Sequence, residues 1–210
     1  MYDIYWSTAD DACRFALGRS GRRPLVVVGL NPSTATREKS DPTAAKVERV
    51  AHAHGYDGFV LVNLCPVRAT DCRTLPEMVD PRLLTANLRA ITEVARAFDG
   101  VTLWAAWGAP ILTRPFLLGA AIAIAEHVER FGPAWQHFGP LTVGGHPRHP
   151  SRLSAPGPSH RSTWLTTWSG SGVPPSVGAE APGPIRAFPS SRPVSFLYAA
   201  GRAPGAGKER

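Results

Sequence analysis

Two kinds of apolar run alternate along this chain. Pro24-Leu25-Val26-Val27-Val28-Gly29-Leu30 and Gly58-Phe59-Val60-Leu61-Val62-Asn63-Leu64 are short, unbroken and rich in β-branched residues. Runs of this kind mark strands buried on both faces, as in a parallel sheet. Val101-Thr102-Leu103-Trp104-Ala105-Ala106-Trp107-Gly108 is a third, and Trp135 to Phe138 a short fourth. Between them the apolar period lengthens. Asp41-Pro42, followed by Ala44, Ala45, Val47, Val50, Ala51 and then Gly55, reads as an acid-capped helix with proline in its first turn and glycine past its end. Asp80-Pro81 repeats the cap signal ahead of Leu83, Leu84, Asn87, Leu88, Ile91, Val94 and Ala95, up to Asp99-Gly100. A third helix occupies much of Phe116 to Arg130, with Pro115 near its first turn. Tyr2, Ile4 and Trp6 alternate, which predicts an edge strand or a hairpin with the segment before Pro24.

Strand and helix therefore succeed one another, and the fold class is α/β: a three-layer α/β/α sandwich around a central, mostly parallel four-stranded sheet with right-handed crossovers. Residues 1–154 make up this domain. From 155 to 210 Pro, Gly, Ser and Ala dominate and no periodicity survives, which predicts a disordered basic tail whose one apolar island is Pro193 to Tyr198.

Composition changes the picture in two ways. The 210 residues leave room for one ordinary domain and a tail, and a formal charge of +7 favours polyanionic partners, nucleic acid or a nucleotide, although a basic surface also serves solubility. Cys13, Cys65 and Cys72 form neither an even set nor a C-x-x-C pair, so no disulfide framework, zinc cage or iron-sulfur centre is indicated. The first residues lack the basic and apolar regions of a signal peptide, and the longest apolar stretch, Phe116 to Ala125, is too short to span a bilayer. The expectation is a reduced, cytoplasmic monomer with no membrane contact, no metal and no cofactor.

The candidate chemistry lies where strands end. In open α/β sheets the ligand crevice forms beyond the carboxyl ends of the strands, where Asn31, Asn63 and Gly108 fall. An asparagine amide offers acceptors and donors that suit reading a base edge or orienting a water, but it cannot take a proton at neutral pH. Satisfying loop backbone is the plainer role for each. In Gly144-Gly145-His146-Pro147-Arg148-His149-Pro150, glycines permit close approach and prolines stiffen the loop. Two histidines three apart without a nearby carboxylate or thiolate make a weak metal set, and His149 reads better as a donor to negative charge developing on a leaving group, or as structural. Arg68 follows a strand end closely enough to clamp a phosphate, or it is a solvated loop residue. Asp41 could serve a water across the crevice, with helix capping the stronger reading. Pro32, Ser33 and Ser151, beside Asn31 and His149, complete the candidate binding set together with His146. No G-x-G-x-x-G, P-loop or G-x-S-x-G elbow is present.

Val28-Gly29-Leu30-Asn31-Pro32-Ser33-Thr34-Ala35, Asp41-Pro42-Thr43, Val62-Asn63-Leu64 with Arg68-Ala69-Thr70, Ala106-Trp107-Gly108 and Gly145-His146-Pro147-Arg148-His149-Pro150 together resemble the domain of unknown function 1643 (DUF1643) family, from the N-terminus to about Leu153. That family resembles, more distantly, the uracil-DNA glycosylase superfamily, whose first motif in the mismatch-specific members reads Gly-Ile-Asn-Pro-Gly and whose last reads His-Pro-Ser-Pro-Leu-Ser. The resemblance implies a glycosylase-like fold and hydrolysis of an N-glycosidic bond, on a base in DNA or on a nucleotide derivative. By it Asn31 holds the attacking water, Asn63 reads the base, His149 stabilises the departing base and Leu153 wedges into the vacated stack. Those roles fit the physics of an extruded base, which needs a snug pocket, hydrogen bonds to its edge and donors for the charge it takes away. The sequence departs from the pattern at Ser33, where an aromatic residue or glycine stands in the superfamily, and at Arg152, which replaces a proline. A nucleotide- or nucleic-acid-binding module without chemistry is the alternative on the same crevice.

Overall fold

The computed structural model describes residues 1–162 apart from 99, 155 and 156. The segment 163–210, where most of the expected tail lies, is outside the described residues. Seven strands are present: β1 (Ile4–Ser7), β2 (Arg14–Arg19), β3 (Pro24–Gly29), β4 (Gly58–Asn63), β5 (Thr102–Ala105), β6 (Ala134–Phe138) and β7 (Ser159–Arg161). With the helices α1 (Pro42–Ala53), α2 (Pro81–Arg96) and α3 (Pro115–Glu129) they form one sheet in the order β1-β2-β4-β3-β5-β6-β7.

The expected four-stranded sheet is thus corrected to seven strands. The four expected strands are its parallel centre, β4-β3-β5-β6. Antiparallel strands extend it at both sides: β2 on β4 with β1 outside it, and β7 on β6. β1 and β2 are the hairpin expected ahead of Pro24; β2 is bounded by Arg14 and Arg19 and β7 is wholly polar, so none of the three carries an unbroken apolar run. β7 also carries the sheet past residue 154, where the domain was expected to end.

Each parallel strand buries both faces because each face has its own helical layer. On one face Val26, Val28, Val60, Val62, Leu103 and Ala105 pack with Ile91 and Val94 of α2 and Leu117, Ala121 and Ile124 of α3. On the other, Leu25, Val27, Phe59, Leu61 and Trp104 pack with Ala44, Val47 and Val50 of α1 and with Phe138 and Leu153. The two sets alternate along the strands as the period of two requires. Asp41 caps α1 by accepting from Ala44 N–H at 2.8 Å, with Pro42 in the first turn. Among the described residues no helix is long and apolar enough to cross a membrane.

The chain leaves β3 for β4 on one side and returns to place β5 on the other, with α1 and α2 on opposite faces. Loops diverge at such a reversal, and a crevice opens beyond the carboxyl ends of the strands.

Candidate functional site

That crevice has a volume of about 870 Å³, within the usual range for small-molecule sites. It is lined from the ends of β3 (Gly29, Asn31, Ser33), β4 (Asn63) and β5 (Trp107, Gly108), and from the loop holding His149 and Ser151. The two sequence motifs farthest apart therefore meet on one cavity.

Asn31 is held by its own donors. Nδ2 gives hydrogen bonds of 2.8 Å to Pro32 O and Ala69 O, which spends both N–H groups on the backbone and leaves the carbonyl oxygen Oδ1 as the part of the amide for a ligand or water. Asn63 is 2 % exposed, and its Nδ2 is buried without a hydrogen-bond partner. Leaving a buried donor unmet costs about 1–3 kcal/mol. Gly29 makes the placement possible, since a Cβ there would stand 2.7 Å from Asn63 Oδ1.

His149 precedes a short 3₁₀ turn, Pro150–Arg152. Its Nδ1 lies 2.8 Å from Ser151 Oγ and accepts from Ser151 N–H at 3.3 Å. With Nδ1 an acceptor, the neutral ring carries its proton on Nε2. Burial pushes the pKa of His149 below the usual histidine value; Asp41 works against the shift and Arg152 adds to it. The ring is therefore a neutral Nε2–H donor at pH 7. Gly108 lets this loop close down: its φ is 74°, and a Cβ would come within 3.2 Å of His149 Cβ.

Of the other residues the sequence singled out, Arg68, Leu153, His146 and Pro32 do not line the crevice. Arg68 donates to Ser33 O (2.5 Å), Ala35 O (3.0 Å) and Tyr5 Oη (2.5 Å) and pairs with Asp11 at 3.0 Å. It braces the Asn31–Ala35 loop from behind. Leu153 is 6 % exposed and turned into the core beside Phe138, with its carbonyl accepting from Lys46 Nζ. His146 is buried, with Thr142 N–H donating to its carbonyl and its own N–H to Thr142 Oγ1. Pro32 is buried in the loop it turns. Asp41 does line the crevice, but its oxygens accept from Ala44 and Ala35 N–H, so it acts as a cap and loop latch. Among the described residues no group of three or more His, Cys, Asp or Glu could hold a metal.

Sequence reasoning marked the Ala106-Trp107-Gly108 motif without giving Trp107 a role, and it missed Arg14 altogether. Trp107 puts an aromatic on the crevice wall, packed edge-on against Trp135. Arg14, the first residue of β2, is 1 % exposed and lines the crevice too. It reaches there because β2 runs antiparallel to β4, so the start of one lies at the carboxyl end of the other; Arg14 N–H bonds to Pro66 O at 2.9 Å. The signal was its register: Arg14 stands two residues before Ala16, on what proves to be a buried face.

The fold and crevice define an α/β protein with an open crevice at the reversal point of its sheet. The family model described as protein of unknown function (DUF1643) matches residues 14–151, more than half of the chain, and the chain belongs to that family. No curated protein and no solved structure matches it.

Proposed function

We propose that the crevice hydrolyses an N-glycosidic bond of a nucleotide. The observation that carries the reading is the buried, unpartnered Nδ2 of Asn63 on the same wall system as the Oδ1 of Asn31 and the imidazole of His149. A ligand edge with an acceptor answers Asn63. A water held by Asn31 Oδ1 adds its oxygen to the sugar C1′ as the bond from C1′ to the base nitrogen breaks, and the water's proton ends on the base. His149 Nε2–H meets the negative charge on the leaving base, and such a donor is worth about 10²–10³ in rate. Trp107 offers the aromatic wall. The distant resemblance to uracil-DNA glycosylases supports the same assignment of Asn31, Asn63 and His149.

The second reading, binding without chemistry, is favoured by Leu153 lying in the core and Arg68 being spent on backbone, since neither is free to wedge into or clamp a DNA strand. For the same reason the hydrolytic reading is directed at a nucleotide derivative before duplex DNA. The test is base release, followed by chromatography, from mononucleotides and from oligonucleotides carrying uracil, hypoxanthine or alkylated bases. Release by the wild type and its loss in Asn31→Ala and His149→Ala is expected. Equal traces from wild type and both variants on every substrate would overturn hydrolysis, and retained ligand binding would then leave the module.

A further inference from the structure

We propose that Arg14 forms an anion subsite at the floor of the crevice and takes the terminal phosphate of a mononucleotide, which deepens the reading above and rests on it for the identity of the rest of the ligand. Arg14 is 1 % exposed, yet no carboxylate lies within ion-pair distance of it among the described residues. Its Nη1 donates to Ala35 O at 3.0 Å, and its Nε is buried with no partner. A buried guanidinium normally has its charge answered by an anion and its N–H groups by acceptors. Arg68, whose charge acts on Arg14, has Asp11 at 3.0 Å, whereas no carboxylate contacts Arg14.

The surrounding charges agree. Burial lowers the Arg14 pKa to about 10 and Arg68 adds to the shift, while Asp41, Tyr5 and Asp11 favour the cation from beyond contact. At neutral pH the side chain remains charged. Of the crevice carboxylates, Asp41 is engaged by backbone N–H groups and Asp71 by Arg73, while Arg148 and Arg152 add positive charge along the wall. Loop bracing does not account for Arg14, because Ala35 O also accepts from Arg68 Nη1 at 3.0 Å and stays satisfied without it. A dianionic terminal phosphate at the end of a small ligand can reach a residue this deep, and its oxygens match the guanidinium's N–H groups.

The experiment measures thermal melting and binding at fixed ionic strength, with chloride replaced by inorganic phosphate, then with deoxyuridine, deoxyuridine monophosphate and a uracil-containing oligonucleotide. Phosphate is expected to raise the melting temperature of the wild type. The monophosphate should bind about 10- to 100-fold more tightly than the nucleoside, the size of a charge-assisted hydrogen-bond pair. Arg14→Met should melt above the wild type in phosphate-free buffer, because it removes an unanswered buried charge, and should lose both the phosphate effect and the preference for the monophosphate. Arg14→Lys should keep part of each. A destabilised Arg14→Met together with no phosphate effect on the wild type makes Arg14 a structural cation and overturns the proposal. So does an Arg14-dependent gain confined to the oligonucleotide. Base release with no preference for the phosphorylated ligand defeats the subsite and leaves hydrolysis standing; Arg14-dependent binding of the monophosphate without base release does the reverse.

Discussion

At the scale of single residues, the site is set by which polar atoms are already spent. Asn31 gives both N–H groups to backbone and keeps an acceptor, whereas Asn63 keeps a buried donor. Identical side chains thereby become complementary tools, a distinction invisible in the letters. His149 shows the same economy, with Nδ1 committed to Ser151. Because burial lowers its pKa, the folded protein holds the ring neutral where the unfolded chain would begin to charge it. The stability this contributes is complete above the ordinary histidine pKa of about 6.5 and is lost as pH falls through that value toward the folded one. An NMR titration should place the His149 midpoint below that of a histidine in a peptide. Arg152→Gln, at an exposed position whose charge opposes the imidazolium, should move the midpoint upward. A midpoint at or above the peptide value would show that the ring is not shielded and would remove the neutral Nε2–H donor from the mechanism.

Elements were legible in proportion to how much apolar surface they bury. The four central strands and three helices stand out because each helix presents one stripe and each parallel strand buries two faces. The prolyl cap signals at Asp41 and Asp80 also located helix starts, and both side chains accept backbone N–H bonds there. β2 was legible only as the hairpin partner of Tyr2 to Trp6 ahead of Pro24, because Arg14 and Arg19 bound it and interrupt any long apolar run, and β7 was not legible at all, being Ser159-His160-Arg161 with all three residues exposed. Convergence of Asn31, Asn63 and Gly108 could be inferred from their places at strand ends, whereas His149 was brought to them only by the resemblance of its loop motif, and the fate of Arg68 and Leu153 depended on loop paths that no periodicity encodes. Residues Ser159–Arg161 themselves meet the sheet through their pairing with β6, where His160 stacks on the buried His137 at a centroid separation of 5.2 Å. Burial lowers the His137 pKa; the Gly139 carbonyl works against the shift and the neighbouring His160 adds to it. Stability from the neutral His137 ring is therefore present above about pH 6.5 and drains away as pH falls below it. Hydrogen exchange, corrected for intrinsic rates, should show the β7 amides opening on going from about pH 7.5 to about pH 5.5. His160→Gln should blunt that response. Unchanged protection across the range would mean that His137 takes up its proton without strain.

At the scale of the whole molecule, the point where the chain can be cut is decided by backbone bonds, and the point where charge resides is decided by sequence. Residues 157–162 are fastened to the domain: His54 Nε2 lies 3.0 Å from Gly157 O, β7 covers the edge of β6, and Ser162 N–H bonds to Trp135 O at 2.8 Å. Ending the chain after Ser162 should leave the melting temperature unchanged, whereas ending it after Ser154 should lower it and expose β6 as an open edge prone to pairing with other chains. The segment removed by the first cut holds Arg186, Arg192, Arg202, Lys208 and Arg210 against Glu180 and Glu209, so +3 of the +7 lies there. If those cations drive a sequence-independent attraction to nucleic acid, five contacts would give a slope of log K against log salt of about −4 to −5 on a duplex. The cut after Ser162 should erase that slope while mononucleotide binding at the crevice persists. Salt-sensitive duplex binding that survives the cut intact would instead place the polyanion surface on the domain itself, around the arginines at the crevice mouth.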